Sequence, residues 1–269
     1  MYKLLPFLLV LAVLSSCTRE GCTDQDAANY DQNANSDDGS CVYDKNALRI
    51  NLHHLIGSEE IQLKDKQYTN IAGNKYSLHR LQYYLSGLEV LNSEGEWLRI
   101  SDFQYIDIED ESTWQIENPD LPDLVLDSLR FVFGLYPEIN ETNALPAELN
   151  NINMAWPDPM GGGYHFMKME GKFNDTSGSD INFAMHIGRL VNHEGTTDPF
   201  IRFSFPLDGF ELVDNDKDLW LLMDLNEWFT GDTYYDLGVY RGGIMGNHKA
   251  QRHLHANGKT VFTLQTQTP

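Results

Sequence analysis

The chain has 269 residues, with 40 acidic and 19 basic side chains, and a formal net charge of −21 at pH 7. Such an acidic excess disfavours nucleic acids and anionic lipid surfaces as partners, because both would repel it. The length that follows the first 44 residues suffices for one large domain.

The N-terminal residues 1–17, MYKLLPFLLVLAVLSSC, hold one Lys, an apolar run and small residues before a Cys. They predict a secretory signal peptide over 1–16, since the apolar run is too short to span a bilayer. The ending LSSC resembles the bacterial lipobox, which implies cleavage before Cys17 and lipid attachment to it. We therefore expect an outer-membrane lipoprotein of the cell envelope, anchored by lipid alone. An ordinary signal peptide with a nearby Cys is the alternative.

Residues 17–45 form an acidic spacer after the anchor, and two further cysteines bound most of it. Cys22 and Cys41 are predicted to form a disulfide, because the envelope is oxidising. The stretch GCTDQDAANYDQNANSDDGSC resembles a short module that recurs in surface and secreted proteins of Bacteroidota. Its aspartates are either Ca²⁺ ligands or a solvated cluster of turns. They are Asp24, Asp26, Asp31, Asp37 and Asp38.

Residues 46–269 have the residue patterns of β-strands. Leu48, Ile50 and Leu52 alternate with polar residues, which is the period of a strand with one buried face. The stretch 76–91 fits one strand, two strands or a helix by apolar count, and its Tyr, Val and flanking Gly favour strand. Further strands are predicted at 103–109, 128–135, 164–173, 180–188, 200–207, 217–225 and 260–266. Only 225–231 and 247–258 look helical, so we predict an all-β sandwich of antiparallel strands with one or two short helices.

Four blocks of this domain resemble the MbnP-like family. The first is LRINLHHLIGSEEIQL with YTNIAGNKYSLHRLQYYLSGLEV, and the third is FAMHIG. The second block runs from Met154 and Trp156 to GYHFMKMEG, and the fourth is IMGNHKAQRHLHANGKTVFTL. The first two are the specific ones, and together the blocks span nearly all of 47–266.

The resemblance implies a β-sandwich that binds copper in the cell envelope. It implies His54, His186 and His248 as metal ligands, and a di-haem, cytochrome-peroxidase-like partner that oxidises Trp156 to kynurenine. With three cysteines in all, the chain lacks the cysteine quartet of better-described members. The resemblance therefore points to a lipoprotein branch of the family in Bacteroidota.

The residues by themselves leave other interpretations of the histidines open. Each imidazole suits copper but could equally be a structural or surface histidine. His54 continues the buried phase of its strand, whereas His186 points away from the face of Phe183 and Met185. His165 shares a strand phase with two methionines, and we interpret that face as core packing.

The motifs of common enzymes are missing. The sequence has no G-x-S-x-G, H-E-x-x-H or Gly-rich phosphate loop, so we expect no catalytic activity. The run DNDKD at 214–218 lacks the Gly and Glu of an EF-hand, which indicates a solvated turn. The alternative function is a metal-free surface lipoprotein that binds a glycan or another envelope protein through exposed aromatics. Those aromatics are Trp220, Trp228, Tyr234, Tyr235 and Tyr240.

Overall fold

The structure is a computed structural model that describes residues 18–64, 67–189, 200–213, 215–231 and 234–269. The predicted signal peptide, the lipid attachment at Cys17, and Asp214 of the predicted turn lie outside the described residues. The chain divides into two compact units, Met1–Asp44 and Lys45–Pro269.

The first unit is held by a disulfide. Cys22 and Cys41 are bonded with their Cα atoms 4.7 Å apart, as predicted. Strands β1 (Glu20–Gly21) and β2 (Ser36–Asp37) form a parallel pair beside it. Several of the aspartates accept hydrogen bonds from backbone N–H groups two residues later: Asp24, Asp31, Asp37 and Asp38. These bonds are typical of tight turns, the second of the two interpretations that the sequence left open.

The second unit contains the remaining strands and both helices. The strands are β3 (Asn46–Ile56), β4 (Glu59–Glu60), β5 (Tyr68–Thr69), β6 (Lys75–Asn92), β7 (Trp97–Asp107), β8 (Gln115–Leu121), β9 (Leu124–Phe133), β10 (Met167–Asn174), β11 (Asp180–Ile187), β12 (Ile201–Leu212), β13 (Lys217–Asp224), β14 (Gly242–Gly243) and β15 (Phe262–Gln265). The helices are α1 (Leu149–Asn153) and α2 (His248–Asn257). Short 3-10 turns lie at Glu111–Thr113, Asp158–Met160, Leu225–Trp228 and Gly258–Thr260.

These strands build two sheets, which confirms the predicted all-β sandwich. One sheet has the order β12-β9-β6-β10-β11-β14, with β5 and β7 also paired to β6. The other has the order β15-β13-β3-β4, with β8 also paired to β3. Most pairs are antiparallel as expected, but β3 with β13 and β11 with β14 are parallel. The apolar faces of both sheets form one large core.

Strand β6 lies at the centre of the larger sheet. Along one of its edges it pairs with β10 over its first half and with β9 over its second half. Tyr83 faces Met167 of β10 on one side and Ile106 of β7 on the other. Two residues later, Leu85 faces Phe133 of β9 on the side where β10 had been. Strands β10 and β9 therefore follow one another along the same edge, and the segment 134–166 that connects them leaves the sheet at this split.

The helical predictions are met in part. Helix α2 lies where 247–258 predicted a helix, and Asn247 caps it by accepting a hydrogen bond from the Ala250 N–H. The segment 225–231 forms only a 3-10 turn, while α1 and strand β8 were not predicted. Among the described helices, none is long and apolar enough to cross a membrane.

A buried polar contact joins the two sheets. His54 of β3 is 4 % exposed, and its Nε2 shares a hydrogen bond of 2.9 Å with the hydroxyl of fully buried Tyr83 of β6. The His54 ring packs edge-on against Trp114 at 4.8 Å. Burial lowers the pKa of His54 to about 3, so the ring is neutral. His54 thus occupies the inward position that its strand phase predicted, between the sheets.

This contact generates a prediction about stability. Tyr83→Phe removes the partner of His54 Nε2 while Nδ1 already has no hydrogen-bond partner among the described residues. We expect it to lower the free energy of unfolding by about 1–3 kcal/mol, measured by urea denaturation.

Tyr76→Phe is the matched control on the same strand. The Tyr76 side chain is equally buried, but its hydroxyl has no hydrogen-bond partner within the described part of the chain. Its removal should leave stability unchanged or raise it. Equal losses in the two variants would contradict the prediction.

Candidate functional site

Trp156 is held by a tight loop that follows α1. Its backbone N–H donates to Gly163 O at 2.8 Å, and its indole Nε1–H donates to Met160 O at 3.1 Å. Pro157 is extended, with φ −59° and ψ 132°, and starts the 3-10 turn Asp158–Met160. The loop folds back on itself, so that Trp156 is only 6 % exposed.

One face of the indole lies on the backbone of Gly188, just after β11. A Cβ at Gly188 would come within 2.8 Å of Trp156 Cε3, closer than carbon atoms approach. Helix α2 holds this backbone from the other side. His255 Nε2 donates to Gly188 O at 2.8 Å, and Gln251 Nε2 donates to His186 O at 2.7 Å. The close fit of the indole therefore requires glycine at position 188.

Two histidine rings pack in series next to the indole of Trp156. The His165 ring lies 4.8 Å from Trp156, edge-on, and the His186 ring lies 5.1 Å from His165 at an angle of 88°. His186 Nε2 is 2.7 Å from Glu170 Oε1, and Arg80 reaches the other oxygen of Glu170 at 2.8 Å. We call Trp156, His165 and His186 the Trp–His cluster.

The tautomer and the charge of His165 follow from its hydrogen bond and its burial. Met154 O can only accept, so the 2.9 Å contact makes Nδ1 the donor and leaves the lone pair on Nε2. That Nε2 is buried and has no hydrogen-bond partner among the residues described. Burial lowers the pKa of His165 to about 3, which keeps the imidazole neutral. The pKa of Glu170 is lowered, mainly by its hydrogen bond with His186 and further by the positive charge of Arg80.

Trp156 also lines an open cavity of about 220 Å³. His248, at the start of α2, is exposed and lines it. Met160 and Met245 also line it. Imidazole and thioether groups are the ligand types that suit copper. The cavity thus connects solvent with Trp156, and its lining includes one histidine and two methionines.

The structure brings some of the predicted ligands together and leaves one apart. His186 joins Trp156 through His165, and His248 shares a cavity with Trp156. His54 instead contacts Tyr83 and Trp114 between the sheets. Within the described ranges, no group of three or more His, Cys, Asp or Glu is placed to hold a metal ion.

The position of His165 differs from its predicted strand phase. Met167 and Met169 are fully buried in the core, as interpreted from the sequence. Strand β10, however, begins only at Met167, and Tyr164 makes just an isolated bridge to Ala155. His165 therefore does not follow the alternation of the strand, and it contacts Trp156 instead. The sequence signal for His165 was its place inside GYHFMKMEG, the end of the second block of the resemblance.

The exposed aromatic surface that motivated the alternative function is mostly absent from the described residues. Trp228 and Tyr235 are fully buried, and Tyr240 is 7 % exposed. Trp220 is half-buried, and Tyr234 is exposed. A glycan-binding surface built on these side chains loses most of its support.

The fit of Trp156 on Gly188 can be tested by adding a methyl group. Gly188→Ala should push the indole away and destabilise the fold by about 1–3 kcal/mol in urea denaturation. Gly246→Ala is the control, since Gly246 lines the same cavity but has nothing within 4 Å of a new Cβ. We expect it to change stability by no more than about 0.5 kcal/mol. A neutral Gly188→Ala would contradict the packing described.

Comparison with known proteins places these features in a family. No curated protein matches the chain. Among solved structures, MbnP from Methylosinus trichosporium superposes with a TM-score of 0.54 at 16% sequence identity, covering 84% of this chain and 100% of that one. At this identity the likeness shows a shared fold. The MbnP family model matches residues 45–245, which include the sandwich strands up to β14, Trp156, His165 and His186. The chain therefore belongs to the MbnP family.

Proposed function

We propose that this protein is a copper-binding protein of the cell envelope, anchored by lipid at Cys17 and without enzymatic activity of its own. The observation that carries the proposal is the Trp–His cluster beside the cavity lined by His248, Met160 and Met245. The MbnP family is linked to copper-related function.

The residues fit copper chemically. His165 presents a buried lone pair without a hydrogen-bond partner in the described chain, and such a nitrogen is costly unless something binds it. His186 and His248 add imidazoles, and the cavity adds thioethers, which favour Cu(I) over harder cations. A bound ion would supply a positive charge next to the indole. The protein would hold that charge without an anionic ligand cluster of the kind that Ca²⁺ or Mg²⁺ prefers.

Trp156 is proposed as a site of oxidative modification to kynurenine. Two oxygen atoms add across the indole C2–C3 bond, which breaks, and hydrolysis then releases C2 as formate. The proposed oxidant is two equivalents of hydrogen peroxide, acting through a di-haem peroxidase-like partner; each gives one oxygen atom's worth of oxidation and is reduced to water. The cavity supports this proposal because it gives the otherwise buried indole a path to solvent.

Copper binding is tested by titrating the full chain with Cu(I) against a competing chelator. We expect binding tighter than micromolar, because the buried neutral imidazole of His165 loses no proton when it binds a metal. His248→Gln should weaken it, whereas His253→Gln on the same helix, where His253 contacts Tyr240 instead, should not. Absence of binding by the unaltered protein would refute the proposed function.

Modification of Trp156 is tested by peptide mass spectrometry of protein isolated from its native envelope. The peptide containing 151–171 should carry the small mass increment of kynurenine, with Trp228 as an internal control because it is buried in the core away from the cavity. Protein made in a host without the haem partner should show unmodified Trp156. An unmodified Trp156 in the native protein would contradict this part of the proposal.

A further inference from the structure

Another cavity lies on the outer face of the larger sheet. Its volume is about 410 Å³, and none of the residues that line it also lines the cavity beside Trp156. Residues of β6, β7, β9 and β12 line it, together with the segment 136–138 that follows β9. Its volume is within the range of pockets that bind small molecules. The cavity is therefore large enough for a ligand of its own.

Three arginines from three neighbouring strands line this cavity. Arg99 is on β7, Arg130 on β9 and Arg202 on β12, and all three are exposed. The pairing register places Glu89 of β6 opposite both Arg99 and Arg130, so the sheet itself brings these groups together. The acidic side chains of the lining are Glu89 and Glu138. In a chain of net charge −21, such a concentration of guanidinium groups is a local exception.

Glu89 orients two of these guanidinium groups. Arg99 Nη2 donates to Glu89 Oε1 at 2.9 Å, and Arg130 Nε donates to Glu89 Oε2 at 2.7 Å. The Glu89 side chain is only 16 % exposed, so its carboxylate is largely enclosed by the groups around it. Asp102 also contacts Arg99, but its side chain is 73 % exposed, and solvent screens that pair. One enclosed carboxylate shared by two guanidinium groups leaves positive charge at the cavity.

Aromatic rings hold the same two guanidinium groups in place. The guanidinium carbon of Arg130 lies 3.7 Å from the centre of the Trp97 ring, and that of Arg99 lies 5.5 Å from the centre of the Tyr136 ring. Such stacking limits the orientations of a guanidinium plane. Arg130 uses Nε and Nη2 to contact Glu89, and its Nη1 makes no hydrogen bond to the residues that the structure describes. Donors of an oriented guanidinium group thus stay available for a ligand.

We propose that this cavity is a binding site for a small oxyanion, a molecule with carboxylate or phosphate groups. Guanidinium groups match both kinds of group with pairs of parallel N–H bonds. Arg130 and Arg202 donate to the anion, Arg99 adds positive charge, and Tyr136 and Pro137 contact the carbon skeleton of the ligand. The site shares no residue with the Trp–His cluster, so this inference does not depend on copper binding.

The test is calorimetric titration of the full chain with succinate and, separately, with inorganic phosphate, in low-salt buffer free of other polyvalent anions. We expect saturable binding of at least one of the two with a Kd of about 1 mM or tighter. Tighter binding of succinate would assign the site to carboxylates, and tighter binding of phosphate would assign it to phosphate groups. No saturable binding of either anion would overturn the inference.

Variants locate the binding in the cavity. Arg130→Gln should weaken it at least about tenfold, because a charge-assisted pair of hydrogen bonds is lost. Arg130→Lys keeps the charge without the planar fork and should recover only part of the affinity. Arg241→Gln is the matched control, since it removes the same charge from an exposed arginine that donates to Gly238 O and does not line the cavity. Equal weakening by Arg130→Gln and Arg241→Gln would contradict the inference.

A measurement on the unaltered protein keeps the test independent of how well the variants fold. In ¹H–¹⁵N NMR spectra, the bound anion should shift the backbone amide resonances of Arg130 and Arg202 and leave those of Trp156 and Arg241 in place. Saturable binding that shifts only resonances outside the cavity would overturn the assignment. Copper titration is a separate measurement, so either proposal can fail while the other stands.

Discussion

The site depends on a split in the larger sheet at Tyr84. The Tyr84 N–H donates to Phe166 O at 3.1 Å, and the Gly134 N–H donates to Tyr84 O at 2.7 Å. Gly134 has φ +88°, and a Cβ there would lie 2.2 Å from Phe166 Cγ. Only glycine allows β9 to end and β10 to begin so close together. The segment between them is therefore forced out of the sheet, and it carries Trp156.

That segment covers the outer face of the sheet with a core of its own. Tyr84, Leu135, Leu145, Met154 and Tyr164 form this second cluster. The Tyr84 hydroxyl donates to Asn151 at 2.6 Å, and the Leu145 N–H donates to the Tyr164 hydroxyl at 3.0 Å. These bonds fix a segment whose helical elements are short, α1 and the 3-10 turn Asp158–Met160. A loop packed this way holds the Trp156 indole in one orientation.

The electrostatics of the cluster contrast with the acidic chain around it. Burial keeps His165 neutral, while Glu170 is paired with both His186 and Arg80. The Lys168 ammonium donates to Asn153 O, which ties the outer face of β10 to the end of α1. The His165 side of the cluster is thus uncharged within a chain of net charge −21. The overall negative charge attracts cations towards the protein.

Much of the fold was predicted correctly because strand alternation and cysteine pairing are visible in short stretches of sequence. The alternation of Leu48, Ile50 and Leu52 predicted a strand with its buried face, and the cysteine pair in an acidic island predicted the disulfide. Strand β8 and helix α1 escaped prediction, since one is polar along most of its length and the other is a single short turn with exposed Leu149 and Ile152. Local patterns carry little information about elements whose packing is decided by distant residues.

The candidate site was determined by the sequence only in part. Motif resemblance singled out Trp156, His186 and His248, and the structure brings each of them to the cluster or its cavity. The strand phase of His54 predicted burial correctly, but only the tertiary structure paired it with Tyr83 across the sheets. His165 was assigned to the core because period-2 alternation was extended beyond the true start of β10. Its contact with Trp156 depends on the split at Tyr84 and on Gly188, two long-range constraints that no local pattern in the sequence contains.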